Sequence, residues 1–124
     1  MTQLLRSTPV LRTSDYARSR QYYVDVLGYQ VVEEGGDPAR FGIFHRDKSA
    51  LFINGWDGGP ANSPGGWDAY VHVSDLDALY QELSGTNADI GRPIEMTSYG
   101  MCEFEVRDPD GNVICFGQDE PENA

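Results

Sequence analysis

A chain of 124 residues has room for one domain, and its 40% apolar share supports a packed core of modest size. Twenty acidic residues against nine Lys and Arg leave a formal charge of −11, which argues against nucleic-acid and membrane partners and is compatible with cationic ones or with plain solubility. No apolar run has the length of a signal peptide or a membrane span. The two cysteines, Cys102 and Cys115, lack any zinc-type spacing, so a cytoplasmic protein with reduced thiols is expected.

In chain order, the first informative feature is Val10-Leu11-Arg12-Thr13-Ser14-Asp15, which matches Tyr70-Val71-His72-Val73-Ser74-Asp75 sixty positions later. Each copy reads as a short strand ending in Ser-Asp, where a side-chain oxygen can cap a helix, and Ser14 and Ser74 are expected as caps. After the first copy, Tyr16, Ser19, Tyr23 and Leu27 share one helical face and Gly28 stops the helix. Strand-like segments follow at Tyr29 to Glu34, Arg40 to Arg46 and Ser49 to Asn54. Trp56 to Gly66 is rich in Gly, Pro, Asn and Ser and reads as a linker. After the second copy, Leu76, Leu79, Tyr80 and Leu83 fall at helical spacing, with Gly85 expected as a left-handed stop. A weaker strand near Ile94 to Thr97 precedes Glu103 to Arg107 and Asn112 to Gln118. The last two are joined by the turn sequence Asp108-Pro109-Asp110-Gly111. Pro121 to Ala124 is expected to fray, with Asp119, Glu120 and Glu122 as solvated charges.

The chain therefore divides into two βαβββ units, one spanning about residues 8–55 and the other about 67–118, in an α+β fold. Neither unit is large enough to bury its sheet alone. Tandem βαβββ units, the Leu27-Gly28-Tyr29 helix end and Arg107-Asp108-Pro109-Asp110-Gly111-Asn112 together resemble the vicinal-oxygen-chelate superfamily of glyoxalases, bleomycin-resistance proteins and dioxygenases. Within it the chain is most similar to bleomycin-resistance proteins. That likeness runs through Pro9-Val10-Leu11, Asp15, Leu51-Phe52-Ile53, Leu76-Asp77-Ala78-Leu79-Tyr80 and Glu103-Phe104. It implies a homodimer that binds a cationic drug in clefts between subunits and confers antibiotic resistance by sequestration. An N-terminal arm with Pro9 would cross to the partner. An edge-strand proline is the plain alternative for Pro9.

The metal-dependent branches of the superfamily draw His, Glu or Gln ligands from four places, which the resemblance puts near Thr8, Phe52, Asp68 and Cys115. Phe52 has no lone pair to offer and Thr8 is a poor ligand, so no metal, cofactor or catalytic residue is expected. His72 alternates with Val71 and Val73, and Glu103 and Glu105 share a strand face; an ordinary strand histidine and a solvated acidic pair are the plain explanations. His45, beside Arg46 and Asp47, is expected to be exposed. No nucleophile motif, P-loop or dinucleotide fingerprint is present.

The expected ligand contacts are Phe41, Trp67, Tyr70 and Tyr99 as flat apolar surfaces, with Asn54, His72 and Glu103 as polar partners. Phe52 and Phe116 serve equally well as core or cleft floor. Trp56 and Trp67 flank the linker, each with a lid and a plug role open to it. Two other readings stand beside drug binding: a metalloenzyme of the glyoxalase or dioxygenase type, and a module of this fold that binds an unrelated metabolite.

Overall fold

The structure, a computed structural model, describes residues 1–56 and 66–119. Residues 57–65 of the linker and the tail from 120 onward, including Glu120, Glu122 and Pro121 to Ala124, lie outside the described residues. Two four-stranded sheets each carry one helix. In the first unit the elements are β1 (Val10–Arg12), α1 (Tyr16–Asp25), β2 (Gln30–Gly36), β3 (Ala39–Arg46) and β4 (Ser49–Asn54). In the second they are β5 (Ala69–His72), α2 (Leu76–Ser84), β6 (Asp89–Met96), β7 (Met101–Arg107) and β8 (Val113–Asp119).

The sheet orders are β1-β4-β3-β2 and β5-β8-β7-β6, so the same topology is built twice. In each, the first strand pairs in parallel with the last, which the intervening helix makes possible, and the other pairs are antiparallel.

Both helices begin as the repeat implies, with one correction. The capping oxygens belong to Asp15 and Asp75, which accept from the Arg18 and Ala78 amides, not to Ser14 and Ser74. A carboxylate is the stronger acceptor for these amide groups. Gly28 has the positive φ of +75° expected of a helix stop. Gly85 does not; its φ is −87°, and α2 ends in a tight turn whose Thr86 hydroxyl donates to the Leu83 carbonyl. The weak strand assigned near Ile94 runs instead over Asp89–Met96, because two register irregularities break its alternation and hide it from a period-two reading.

Alternation along the strands sends one set of side chains under the helix and the other to the open face. Leu11, Phe44, Leu51 and Ile53 meet Tyr16, Tyr23 and Leu27 of the first unit. Phe104, Val106, Ile114 and Phe116 meet Leu76 and Leu83 of the second. Phe116 is thereby core, while Phe52 and Tyr70 are half-buried on the opposite faces.

The turn at Asp108–Asn112 does more than join β7 to β8. Asp108 is buried, accepts from the Tyr23 hydroxyl at 2.8 Å and from both nitrogens of Asn112, and Asn112 donates to the Arg12 carbonyl of the other unit. Asp110 accepts from Thr13, from the amide and hydroxyl of Ser14 and from Arg18. Arg46 adds a bidentate pair with Glu82 of α2 and a bond to the Leu27 carbonyl. The two units are joined by this polar latch at their ends.

Candidate functional site

The open faces of the two sheets hold the residues expected to bind a ligand. Phe41 and Asn54 lie on the first, directly opposite one another on β3 and β4. Trp67, Tyr70, His72, Tyr99 and Glu103 gather on the second. The two groups are separate, since the elements closely packed on each sheet are its own strands and its own helix.

On the first sheet Trp56 is a packed residue. Its ring lies parallel to Phe41 at 5.1 Å and reaches over Gly35, while Phe52 meets Phe41 edge-on. The Trp56 amide donates to Asn54 Oδ1 and its carbonyl accepts from Arg40. With 49% of its surface exposed, Trp56 presents its outer face to solvent.

The second sheet is organised by charge. Glu103 is on β7 and has no exposed surface, which corrects the reading of Glu103 and Glu105 as a solvated pair. Its carboxylate accepts from the Tyr70 and Tyr99 hydroxyls, each at 2.7 Å, and from Arg92 at 3.0 Å. Burial alone would push the Glu103 carboxyl up, but these donors, with Cys115, hold it below its ordinary value. The same carboxylate and burial raise Tyr70, and Tyr99 rises chiefly through its bond to Glu103. Both phenols stay protonated donors at neutral pH. Glu105 accepts from Arg92 and from the indole of Trp67, each at 2.9 Å. The Trp67 ring leans on Tyr70, and Tyr70 on His72, with centroids 5.1 and 5.0 Å apart.

Tyr70 reaches Glu103 by crossing the intervening strand β8 at Gly117, the residue paired with Glu103. A methyl group at Gly117 would collide with the Tyr70 hydroxyl, so only glycine leaves this path open. Gly117 and Arg92 are parts of the arrangement that motif and spacing did not expose, and Glu105 was legible only as sharing the strand face of Glu103.

A cleft of about 890 Å³ runs between the units beside this face, bordered by Pro9, Tyr29, Leu51, Tyr70, His72 and Leu79 among others. It therefore meets Tyr70, His72 and the arm residue Pro9 of the expected set, but not the other five ligand-contact candidates. Pro9 lies outside β1, and its carbonyl accepts from Phe52. His45 is exposed as expected, on β3.

The donor set does not fit a metal of the kind used by the enzymes of this fold. Phe52 offers no ligand. Asp68 Oδ2 accepts from the Val113 amide, and burial with the nearby Glu103 charge pushes the Cys115 thiol up to about 12, so it is no thiolate at neutral pH. Among the described residues no three His, Cys, Asp or Glu side chains are placed so as to hold a metal ion. Cys102 and Cys115 are free, and no described helix is long and apolar enough to cross a membrane.

Solved structures share this architecture. A bleomycin-binding protein from Streptomyces verticillus, determined with copper(II)-bleomycin, is 27% identical; the match covers 98% of this chain and all of that one, with a TM-score of 0.68. TioX from Micromonospora sp. ML1 is 21% identical over 92% of this chain and 99% of its own, with a TM-score of 0.73. A glyoxalase-related enzyme from Clostridium phytofermentans is 16% identical over 95% and 97% of the two chains, with a TM-score of 0.76. No curated protein matches the chain by sequence. The family model of the Glyoxalase/Bleomycin resistance protein/Dioxygenase superfamily matches residues 6–116, nearly the whole chain, and the protein belongs to that superfamily.

Proposed function

We propose that this protein binds and sequesters a cationic, partly aromatic small molecule of the bleomycin type without transforming it. The observation that carries this reading is the open face of the second sheet. There Trp67, Tyr70, His72 and Tyr99 supply flat rings, and Glu95, Glu103 and Glu105 supply negative charge with only Arg92 against it. Rings stack on a heteroaromatic group and carboxylates draw its amines, so both parts of such a ligand find a partner. Phe41, Trp56 and Asn54 offer a second stacking surface on the other sheet. The unsuitable donor set near Phe52 supports binding without metal chemistry, and the 27% identity to a bleomycin-binding protein supports the ligand class.

The reading includes a cytoplasmic homodimer with an exchanged arm. Leu4 is 100% and Leu5 82% exposed, and Pro9 borders the cleft between the units, so burying that arm on a second copy would remove apolar surface from water.

Titrating tryptophan fluorescence with bleomycin tests the proposal, since Trp56 and Trp67 flank the two faces. Tyr99→Ala should weaken binding roughly tenfold, the scale of one lost aromatic contact. Tyr99→Phe should keep most of the affinity, because the ring remains. The drug should be recovered chemically intact by mass spectrometry, and the purified protein should carry well under one equivalent of divalent metal. Modified drug, or a stoichiometric metal needed for stability, would reject sequestration in favour of an enzyme.

A further inference from the structure

Among the described residues Arg92 is the one basic residue bonded into the cluster of carboxylates on the second sheet, and the backbone is built to bring it there. On β6 the register is irregular on both sides of Arg92: Ile90 pairs with Val106, Arg92 with Glu105 and Glu95 with Glu103. Regular pairing from Ile90 would set Arg92 opposite Phe104, whose side chain is core. The extra residue instead puts it opposite Glu105 on the open face, the kind of re-aiming that bulges provide.

Each of the three guanidinium nitrogens then donates to a different carboxylate. Nε donates to Glu105 at 2.9 Å, Nη2 to Glu103 at 3.0 Å, and Nη1 to Glu95. Burial alone would make Arg92 easier to deprotonate, but the three carboxylates raise it further above its already high value, so it stays charged at any physiological pH.

Glu103 is sealed, whereas the side chains of Glu95 and Glu105 are 55% and 25% exposed. A ligand's cation meets those two carboxylates, and both are already held by Arg92. We propose that Arg92 is the specificity-determining residue of this face, a built-in cation that competes with the ligand's own and sets how much positive charge the ligand must carry. The proposal rests on the ligand-binding reading above and extends it to the charge of the ligand. Three carboxylates share one guanidinium, so the excess negative charge that a ligand can exploit is fixed by this single residue.

The test uses the full chain, with metal-free bleomycin and bleomycinic acid, which keeps the rings but ends in a carboxylate, as probes. Arg92→Gln should bind bleomycin roughly five- to tenfold tighter at low salt, a gain that shrinks toward about twofold at molar salt, and should bind bleomycinic acid no tighter. Arg92→Lys should stay within about twofold of the wild type, because the charge is kept. The double variant R92Q/E95Q restores the original charge excess and should give back most of that gain. A folded Arg92→Gln that binds bleomycin no tighter than the wild type overturns the proposal and leaves the ligand class standing. If Arg92→Gln does not fold, Glu105→Gln takes its place. It should weaken bleomycin severalfold and spare bleomycinic acid, and equal binding of both probes to that variant and the wild type would overturn the proposal. Failure of the wild type to bind bleomycin at all rejects the underlying reading together with it.

Discussion

The open faces of the two sheets descend from the same βαβββ pattern but are held together in different ways. On the first sheet Phe41, Phe52 and Trp56 are organised by ring packing, with Asn54 accepting from the Trp56 amide. On the second, Trp67, Tyr70 and Tyr99 each spend their polar atom on Glu103 or Glu105. The tyrosine-to-glutamate bond over a glycine occurs in both units, but in different places. Tyr16 reaches Glu34 across Gly42 on the helix-covered side of the first sheet, where it is part of the core. Tyr70 reaches Glu103 across Gly117 on the exposed side of the second, where it fixes a surface a ligand can reach. The same contact is structural in one unit and shapes a candidate site in the other because a different face carries it.

The broadest way to break the comparison is to hollow each core in turn. Phe44→Ala and Phe104→Ala each remove a fully buried ring and should each cost about 3–5 kcal/mol. Because the Asp108–Asn112 latch ties the units together, each variant should still melt in one calorimetric transition. Two separated transitions would mean that the units fold independently.

A smaller effect separates the two glycines. Gly42→Ala and Gly117→Ala both force a tyrosine hydroxyl aside and should each cost about 1–3 kcal/mol in chemical denaturation. Only Gly117→Ala should also weaken bleomycin binding, since only Tyr70 sits on the candidate site. Equal loss of binding in both variants would show that the first face matters as much.

The smallest effect concerns the latch that both units share. Burial raises Asp108 above its ordinary value of 3.8 despite the Asn112 and Tyr23 donors. Burial also opposes ionisation of Asp110, but there the Thr13, Ser14 and Arg18 partners win and lower it. On acidification Asp108 should therefore protonate first, above 3.8, relieving a cost of keeping its charge buried. Asp110 should protonate last, below 3.8, and its stabilising contribution, complete above the unfolded value, is lost through that step. Carboxyl-carbon NMR titration reads both, and the reverse order would show that the donors outweigh burial at Asp108 as well.

Much of this was legible from residues alone. The offset repeat, the positions of the helix starts, the alternation of His72 with Val71 and Val73, and the turn at Asp108 follow from local rules that hold wherever the chain goes, although the caps proved to be Asp15 and Asp75 and not the serines before them. The β6 strand was legible only in part, because its bulges cancel the period-two signal on which a strand assignment depends. Glu103 was placed on the correct face but given the wrong surroundings. Alternation says which way a side chain points, and says nothing of which tyrosines and arginine from β5, β6 and the β6–β7 turn converge to bury it.

By itself the sequence determined the two-unit architecture and the superfamily, since both rest on short-range patterns repeated along one chain. Only the tertiary structure decided that Trp56 packs on Phe41, that Gly117 leaves a path for Tyr70, that Asp110 latches one unit to the other, and that Arg92 faces three carboxylates. Each of these depends on strand register or on contacts between residues far apart in sequence. A one-residue shift in register moves a side chain from the core to the open face, and no local pattern in β6 encodes that shift.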